Sequence, residues 1–173
     1  MSLVEIQEIR GKGRGVVALI EIKKGDTIWS ETGYSVKRTP NDFAILASQC
    51  PFLDQLSVAE PKLKRVLKHK AYWLDQKPQE WTDANWLIAI AKVSTNCFCT
   101  LKPPRVYLWQ QVSFMNHGCT GNVILEISGD KCIVVARTGI KKGEELTFRY
   151  LGGPCKPQVL LASWGFKCGC LTK

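Results

Sequence analysis

Ser-Phe-Met-Asn-His-Gly-Cys, residues 113–119, decides the fold together with Gly-Glu-Glu-Leu-Thr-Phe-Arg-Tyr, residues 143–150. The first stretch places Asn116 and His117 directly behind two apolar residues, where buried polar side chains need hydrogen-bond partners. A satisfied polar pair in the core is therefore one interpretation of these residues. The second stretch follows a Lys-Lys-Gly turn and ends in Tyr150, at a strand end where functional sites tend to form. Together the two stretches indicate a polar site at the edge of a sheet.

Length and charge limit the classes of protein to consider. The chain of 173 residues is 45% hydrophobic and carries a formal net charge of +9. This length predicts one domain with its own core, and we expect a monomer. The positive charge favours an anionic partner such as nucleic acid or an acidic protein surface, with a solvated basic face as the alternative.

The sequence carries no signal for secretion or for a membrane. Residues 1–11 lack the apolar segment of a signal peptide, and no apolar run is long enough to span a bilayer. We therefore expect an intracellular protein of the nucleus, the cytoplasm or both, without membrane contact. Its eight cysteines are expected to stay reduced, bound to metal or buried. Small core residues are expected at Cys50, Cys97, Cys99 and Cys132.

The first and last parts of the chain have the pattern of β-strands. Residues 4–9 and 16–20 flank a glycine-rich segment, 11–15, which is either a hairpin turn or a loop whose backbone approaches a ligand. An internal repeat, residues 16–26 and again 134–144, places Val-Val-Ala before an Ile-Lys-Lys-Gly turn. Further elements are predicted as strands at 123–127, 132–136 and 146–150 and as a short helix at 157–164.

Residues 42–95 have helical periodicity and predict a helical insert. Pro61 suits the start of a helix with one apolar stripe and one basic face in water. The stripe comprises Leu63, Val66, Leu67, Ala71 and Leu74, and the basic face comprises Lys62, Lys64, Arg65, Lys68 and Lys70. A second, buried helix is predicted to begin after Thr82 or Asp83 and to carry Asn96 to the centre. Prolines within 102–105 are expected to end the helical part.

Several of these motifs, in this order, resemble the SET-domain protein lysine methyltransferases, and particularly the SET and MYND branch without its MYND finger. Residues 12–15 resemble the family's first cofactor motif, residues 116–122 its Asn-His-Ser-Cys-x-Pro-Asn motif, and residues 143–150 its catalytic strand. Asn96 resembles the Asn that the branch supplies to the cofactor from its helical insert. Phe166, before a Cys-x-Cys, resembles the aromatic residue that stacks on adenine.

The resemblance implies a mainly β fold with a helical insert, in which small curved sheets form a knot-like core. A single SET domain would span residues 1–173. Its parts would be an N-terminal β part at 1–38, the helical insert at 39–105, a C-terminal β part with the catalytic motifs at 106–153, and a post-SET-like segment at 154–173.

The resemblance also implies an S-adenosylmethionine-dependent protein lysine N-methyltransferase. The sulfonium methyl would pass by direct displacement to a neutral lysine amine of a histone or another protein, with Tyr150 as the catalytic residue. Tyr107 and Tyr150 would line the channel of the target lysine. The expected cofactor-binding residues are Lys12, Gly13, Arg14, Asn96, Ser113, Phe114, Asn116, His117 and Phe166.

Two alternatives stay open at the level of sequence. One is a catalytically inactive SET-like module that binds chromatin or nucleic acid through Lys62, Lys64, Arg65 and Lys68. The other is a basic, zinc-containing nucleic-acid domain, which explains the charge and the Cys-x-Cys but leaves the other motifs unexplained.

The family's post-SET zinc site implies Cys119, Cys168 and Cys170 as metal ligands. A fourth ligand is missing from this set, and three thiolates do not close a structural zinc site, so zinc binding, recruitment of Cys155 and free reduced thiols all stay open. The motif also departs from the family pattern at Gly118, Gly121 and Arg149. We expect the two glycines to give this loop more conformational freedom.

Overall fold

The structure is a computed structural model that describes residues 2–151 and 156–168. The chain divides into two compact units, each described below by itself. The first comprises Met1–Thr32, Gln110–Lys156 and Cys168–Lys173, and the second comprises Gly33–Trp109 and Pro157–Lys167. The second unit is larger than the insert predicted at 39–105, because the strands that flank the helices form a sheet of their own.

The first unit contains a mixed four-stranded sheet, in which one pair of strands is parallel, and an antiparallel three-stranded sheet. One sheet has the order β1-β2-β10-β7 and the other the order β3-β9-β8. These strands are β1 (Val4–Ile9), β2 (Gly13–Ala18), β3 (Thr27–Thr32), β7 (Asn116–His117), β8 (Val123–Ser128), β9 (Lys131–Ala136) and β10 (Glu145–Phe148). The predicted first strand and the predicted β8–β9 hairpin are confirmed, with Gly129 at φ +59° in the turn.

The internal repeat forms a reciprocal pairing in which each copy completes the other. Ile22 and Ile140 exchange two backbone hydrogen bonds of 2.9 Å in an antiparallel bridge. The turn glycines Gly25 and Gly143 each donate, at 2.8 Å, to the alanine that ends the strand of the other copy. Both have positive φ, +89° and +81°, a conformation that favours glycine over other residues.

The second unit packs helices around a three-stranded sheet of order β4-β6-β5. Its elements are β4 (Tyr34–Lys37), α1 (Asp42–Gln49), α2 (Glu60–Lys68), α3 (Lys70–Leu74), α4 (Asp83–Asn96), β5 (Phe98–Leu101), β6 (Pro104–Leu108) and α5 (Pro157–Trp164). The predicted N-cap of α4 is confirmed, because Thr82 Oγ1 accepts from Asn85 N–H at 3.3 Å. This helix is buried among the core side chains of the unit, as its nearly continuous apolar sequence predicts.

The single apolar stripe predicted after Pro61 is wrong. The helix is interrupted at His69, and Leu67 is 47% exposed whereas Val66 is buried. Lys62 does not face water as predicted. It is half-buried, with Nζ 4.8 Å from the centre of the Trp164 ring, and burial lowers its pKa. A lysine can bury its methylene chain in this way and keep its charge on an aromatic face.

Three further differences concern prolines, cysteines and the catalytic strand. The helical part ends at Asn96, whereas Pro103 lies in the turn between β5 and β6 and Pro104 is the first residue of β6. Cys50 and Cys132 are buried as predicted, but Cys97 is half-buried and Cys99 is exposed. The last predicted strand ends at Phe148, two residues earlier than expected. Among the helices that the structure describes, none has the length and apolarity that crossing a membrane requires.

Candidate active site

Glu145, at the start of β10, connects the two sequence stretches that carry the site. Its carboxylate Oε2 lies 2.5 Å from Lys12 Nζ, and its Oε1 accepts a hydrogen bond of 2.8 Å from the Asn116 side-chain amide. The same Asn116 nitrogen donates to the Arg14 carbonyl at 3.0 Å. The Glu145 side chain is only 16% exposed, so these charge-assisted bonds are partly shielded from water.

Asn116 and His117 form the short strand β7, which pairs in parallel with β10. Asn116 lies opposite Thr147 and His117 opposite Phe148. His117 Nδ1 accepts the backbone N–H of Tyr150 at 3.2 Å, so the neutral ring carries its proton on Nε2. Burial and the positive charges of Arg149 and Lys12 lower the pKa of His117, which favours this neutral form.

Tyr150 lies just after β10 and is held from three sides. Its hydroxyl donates to the Met115 carbonyl at 2.9 Å, and its ring centre is 5.4 Å from that of His117 and 4.9 Å from that of Phe148. Burial and the charge of Glu145 raise the pKa of Tyr150 well above its usual value. The phenol is therefore a fixed, protonated group across the neutral pH range.

The segment from Lys12 to Gly15 lies against the first motif stretch. The Arg14 guanidinium stands 4.5 Å from the centre of the Phe114 ring. A side chain at Gly15 would collide with Ile9, Asn116 and Glu145, so only glycine lets this strand approach Asn116 so closely. At Gly13, φ is +73° and no atom lies within 4 Å of the position a Cβ would take, which leaves the backbone open there.

Ser113 and Phe114 lie in a single 3-10 turn, Val112–Phe114. The carboxylate of Glu31 accepts the N–H groups at the start of this turn, from Gln111 at 3.1 Å and Val112 at 2.8 Å. An acidic side chain at this position satisfies backbone donors that the turn itself leaves unpaired. Glu31 thus fixes the backbone that leads into Asn116.

The predicted looseness of the motif loop is wrong, because both unusual glycines are closely packed. A Cβ on Gly118 would lie 2.4 Å from Thr147 Oγ1. Gly121 has φ +50°, and a Cβ there would lie 3.1 Å from the backbone of Phe148. Arg149, the third departure from the family pattern, donates from Nε to the Cys119 carbonyl at 2.9 Å. Each of the three departures is therefore accommodated by the residues packed against it or bonded to it.

Cys119 and Cys168 bring two thiols together beside His117. The two sulfurs are 2.9 Å apart, and His117 Nε2 lies 3.2 Å from Cys119 Sγ. The three ligand atoms all lie within 4.8 Å of one another, as a metal-binding group requires. Cys170, the third predicted metal ligand, lies outside the described residues, as does Cys155.

Asn96, Tyr107 and Phe166 belong to the second unit. Asn96 is buried at the end of α4, where its amide nitrogen donates to the carbonyls of Ser57 and Lys92 at 2.9 and 2.8 Å. Tyr107 is buried in β6 and stacks on Trp109, with ring centres 4.9 Å apart. Phe166 is half-buried just past α5. The roles predicted for these three residues remain predictions.

Sequence reasoning gave no role to the acidic partners Glu31 and Glu145 or to the amide Asn122. Asn122 Oδ1 accepts the Thr147 N–H at 2.8 Å, and its Nδ2 donates to the Glu145 carbonyl at 2.9 Å. Glu145 and Asn122 belong to the two recognised motifs, but their hydrogen bonds were not predicted. Glu31 gave no signal, since its partners are 80 and 81 residues away.

The chain matches the SET domain family over residues 13–151 and belongs to that family. An alignment over 67 residues gives 34% identity to histone-lysine N-methyltransferase SET5 of Eremothecium gossypii. It covers 36% of this chain and 14% of the SET5 protein. The match concerns part of a longer protein.

The fold is similar to that of solved SET domains. The crystal structure of the SET domain of LSMT bound to lysine and AdoHcy gives a TM-score of 0.64 at 12% identity, covering 96% of this chain and 53% of the other. The structure of Rubisco LSMT bound to sinefungin and monomethyllysine gives 0.66 at 12% identity, covering 98% and 52%. The chain therefore spans about half the length of these proteins. The predicted SET-domain fold, mainly β with helices, is confirmed.

Proposed function

We propose that the chain is an S-adenosylmethionine-dependent protein lysine N-methyltransferase. The observation that carries this proposal is the half-buried Tyr150, whose phenol is anchored on the Met115 carbonyl beside the Asn116–His117 strand. Membership of the SET-domain family supports it. Tyr150 is the catalytic residue of the proposal, because a rigid phenol next to this strand can orient an incoming amine.

The residues of the first unit have the chemistry that the cofactor requires. A cationic Arg14 suits a carboxylate, and the open backbone at Gly13 suits close approach of a ligand. The amide nitrogen of Asn116 donates to Arg14 and Glu145. In this proposal its Oδ1 accepts a hydrogen bond from the ammonium group of the cofactor. Lys12 would hold Glu145 in place, and Ser113, Phe114 and His117 would line the same side. Asn96 and Phe166 are proposed as further cofactor-binding residues because they resemble the family's residues at these motif positions.

The cofactor supplies a sulfonium methyl group, and the target lysine must be uncharged to displace it. At pH 7.4 a free lysine is neutral about one time in a thousand, a cost of about 4 kcal/mol. An apolar channel lined by Tyr107 and Tyr150 would reduce that cost, because desolvation favours the neutral amine. In this proposal Tyr150 stays protonated and positions the amine instead of accepting its proton.

The finer assignments are proposals as well. A histone is one candidate substrate, because the relative SET5 is named a histone-lysine N-methyltransferase. We also propose that the chain belongs to the SET and MYND branch of the family. The order of the motifs supports this, and Asn96 resembles the Asn that this branch supplies to the cofactor. We also propose a monomer that acts in the nucleus, the cytoplasm or both.

Zinc binding is proposed for the thiol pair of Cys119 and Cys168, with Cys170 as a further ligand. Protein purified without chelator should then contain about one zinc per chain, and Cys119→Ser should lower that content while Cys132→Ser should not. Cys132 is a suitable control because it is buried elsewhere, in β9. A zinc content near zero in the parent protein would remove the proposal.

Methyl transfer from labelled S-adenosylmethionine to a panel of histones and cell-extract proteins tests the function. We expect transfer by the parent protein and loss of at least 100-fold in Tyr150→Phe and His117→Ala. Tyr72→Phe and His69→Ala are matched controls, because both residues are exposed in the second unit and should keep activity.

Calorimetry with S-adenosylmethionine separates the remaining outcomes. Cofactor binding without transfer to any protein of the panel would favour an inactive module over an enzyme. Absence of cofactor binding by a folded parent protein would contradict the proposed function as a whole.

A further inference from the structure

The three-stranded sheet of the second unit carries a cluster of positive charge to which no role has been given. Residues 33–41 and 97–109, which contain β4, β5, β6 and the turn that joins β5 to β6, include four cationic side chains and no acidic one. The four are Lys37, Arg38, Lys102 and Arg105. The acidic residue that follows β4 in the sequence, Asp42, is buried at the start of α1. The strands themselves therefore present positive charge without a neutralising carboxylate.

The register of the strands gathers these cations at one end of the sheet. Lys37 lies opposite Arg105, and the Arg38 N–H donates to the Pro104 carbonyl at 3.0 Å. Lys102 is in the turn that leads to Pro104. Among the ion pairs of the described residues, none involves Lys37, Arg38 or Lys102. An anion that reaches this end of the sheet would therefore meet several cations together.

Arg105 and Lys37 share a face of the sheet with Tyr107. Residues directly opposite each other in an antiparallel pair point to the same face, as do residues two apart along one strand. Ser35 lies opposite Tyr107, in the row next to Lys37 and Arg105. The side chains agree with this register, because the guanidinium carbon of Arg105 is 6.0 Å from the centre of the Tyr107 ring.

The Arg105 side chain is held in place on this face. Its Nε donates to Ser35 Oγ at 3.1 Å, and its Nη2 donates to the same oxygen. Arg105 is half-buried, whereas Lys37 is exposed at the end of β4. A fixed, planar guanidinium matches the geometry of a carboxylate, and a neighbouring ammonium adds a second charge. The pair is therefore suited to a carboxylate that approaches beside Tyr107.

We propose that Arg105 and Lys37 select an acidic side chain close to the target lysine of the protein substrate. This specificity rests on the proposed function, in which Tyr107 lines the channel of the target lysine. Residues of an extended peptide are about 3.3 Å apart, so those one to three positions from the lysine lie about 3 to 10 Å along the chain. The distance of 6.0 Å between Arg105 and the Tyr107 ring falls within that range.

Charge sets the direction of the preference. A carboxylate beside Arg105 and Lys37 gains charge-assisted hydrogen bonds, whereas a lysine or arginine of the substrate in the same place is repelled. Phosphate groups of nucleic acid are the other anions that such a cluster attracts. The half-buried position of Arg105 on a sheet face favours the peptide, because one extended chain can approach it more closely than a rigid duplex.

The methylated lysines of a nuclease-treated cell extract test the proposal. Extract proteins are incubated with the parent protein and labelled S-adenosylmethionine, and the modified lysines are located by mass spectrometry. We expect Asp or Glu within three residues of these lysines about three times as often as around unmodified lysines of the same proteins. Transfer without this enrichment would overturn the proposal and leave the proposed function standing. Absence of all transfer by the folded protein would instead contradict the proposed function.

Substitutions then assign the preference to particular residues. A synthetic peptide copied from a located site is compared with a peptide that carries the amide in place of the acid, and kcat/KM should be about tenfold higher for the acidic peptide. Arg105→Gln and Lys37→Glu should each reduce this ratio to about threefold or less, mainly through KM. Lys131→Glu is the matched control, because this lysine is exposed in β9 and should leave the ratio unchanged.

Lys37→Glu keeps the test decisive where Arg105→Gln lowers stability through the loss of its bonds to Ser35, because Lys37 is on the surface. An unchanged ratio in the folded Lys37→Glu and Arg105→Gln proteins would overturn the proposal. Weaker binding of duplex DNA by these variants, measured by fluorescence anisotropy and accompanied by an unchanged ratio, would also overturn it and assign the cluster to nucleic acid.

Discussion

Glu145 is the residue on which the geometry of the candidate site depends most. One carboxylate oxygen binds Lys12 from the glycine-rich loop, and the other accepts from Asn116 of the first motif. Its backbone carbonyl is held by Asn122. A carboxylate can serve two donors at once because each oxygen accepts independently, whereas an amide offers one acceptor oxygen.

Glu145→Gln therefore tests whether this carboxylate holds the site together. The variant keeps the size of the side chain but places an NH₂ group near one of the two donors, so we expect a loss of about 1–3 kcal/mol in cofactor binding free energy. Calorimetry with S-adenosylmethionine measures the change. Glu126→Gln, an exposed carboxylate in β8, is the matched control and should bind like the parent. Unchanged binding in Glu145→Gln would show that Asn116 is positioned by other contacts.

Gly118 shows how one departure from a motif is matched by a neighbour. Its missing side chain makes room for Thr147, whose Oγ1 would lie 2.4 Å from a Cβ at Gly118. Gly118→Ala should therefore destabilise the protein by about 1–3 kcal/mol in urea unfolding, because the closely packed pair has no room for a methyl group. In the Thr147→Gly background the same change should cost less than half as much. Equal costs in both backgrounds would contradict this pairing.

At the scale of elements, the sequence predicts those whose evidence is local. The β8–β9 hairpin and the α4 cap follow from residues close together in the chain, namely Gly129 and Thr82. Lys62 could not be placed in the same way, because its partner Trp164 is supplied by α5, about 100 residues later. The hydrogen bonds of Glu31 and Glu145 likewise join distant segments. Periodicity contains no information on such partners.

Helix α2 carries the basic face predicted to contact nucleic acid, and the structure narrows the residues that could do so. Lys62 is engaged with Trp164, and Lys64 is paired with Glu60 at 2.6 Å on an exposed surface. An exposed pair contributes little stability, so Lys64 can exchange its partner for phosphate together with Arg65 and Lys68.

We therefore expect the triple variant Lys64→Glu, Arg65→Glu and Lys68→Glu to weaken duplex DNA binding at least 10-fold and to reduce its dependence on salt. Fluorescence anisotropy between 50 and 200 mM salt measures both. A control triple variant changes the net charge by the same amount at the repeat turns of the first unit, and it carries Lys23→Glu, Lys24→Glu and Lys142→Glu. If both triple variants bind alike, only overall charge matters and α2 is no specific surface.

For the whole molecule, the basic charge does not by itself indicate a histone substrate. A net charge of +9 repels a basic tail at long range, so attraction to the substrate must come from short-range contacts or from DNA near it. The target lysine adds a positive charge of its own, and that charge must be lost before methyl transfer. The pH dependence of activity therefore tests the proposed chemistry apart from the substrate's identity.

Activity should rise with pH. At pH values below the pKa of the target lysine, each increase of one pH unit raises the neutral fraction of that lysine about tenfold. We expect kcat/KM for methyl transfer to increase between pH 7 and 9 without a decline caused by Tyr150, since burial and Glu145 raise the pKa of that phenol. Cys99, whose pKa is lowered to about 7, titrates in the same range, so Cys99→Ser is the necessary control and should give the same profile. A flat profile from pH 7 to 9.5, with chemistry rate-limiting, would contradict the proposal that the lysine loses its proton before methyl transfer, because kcat/KM follows the ionisation of the free substrate.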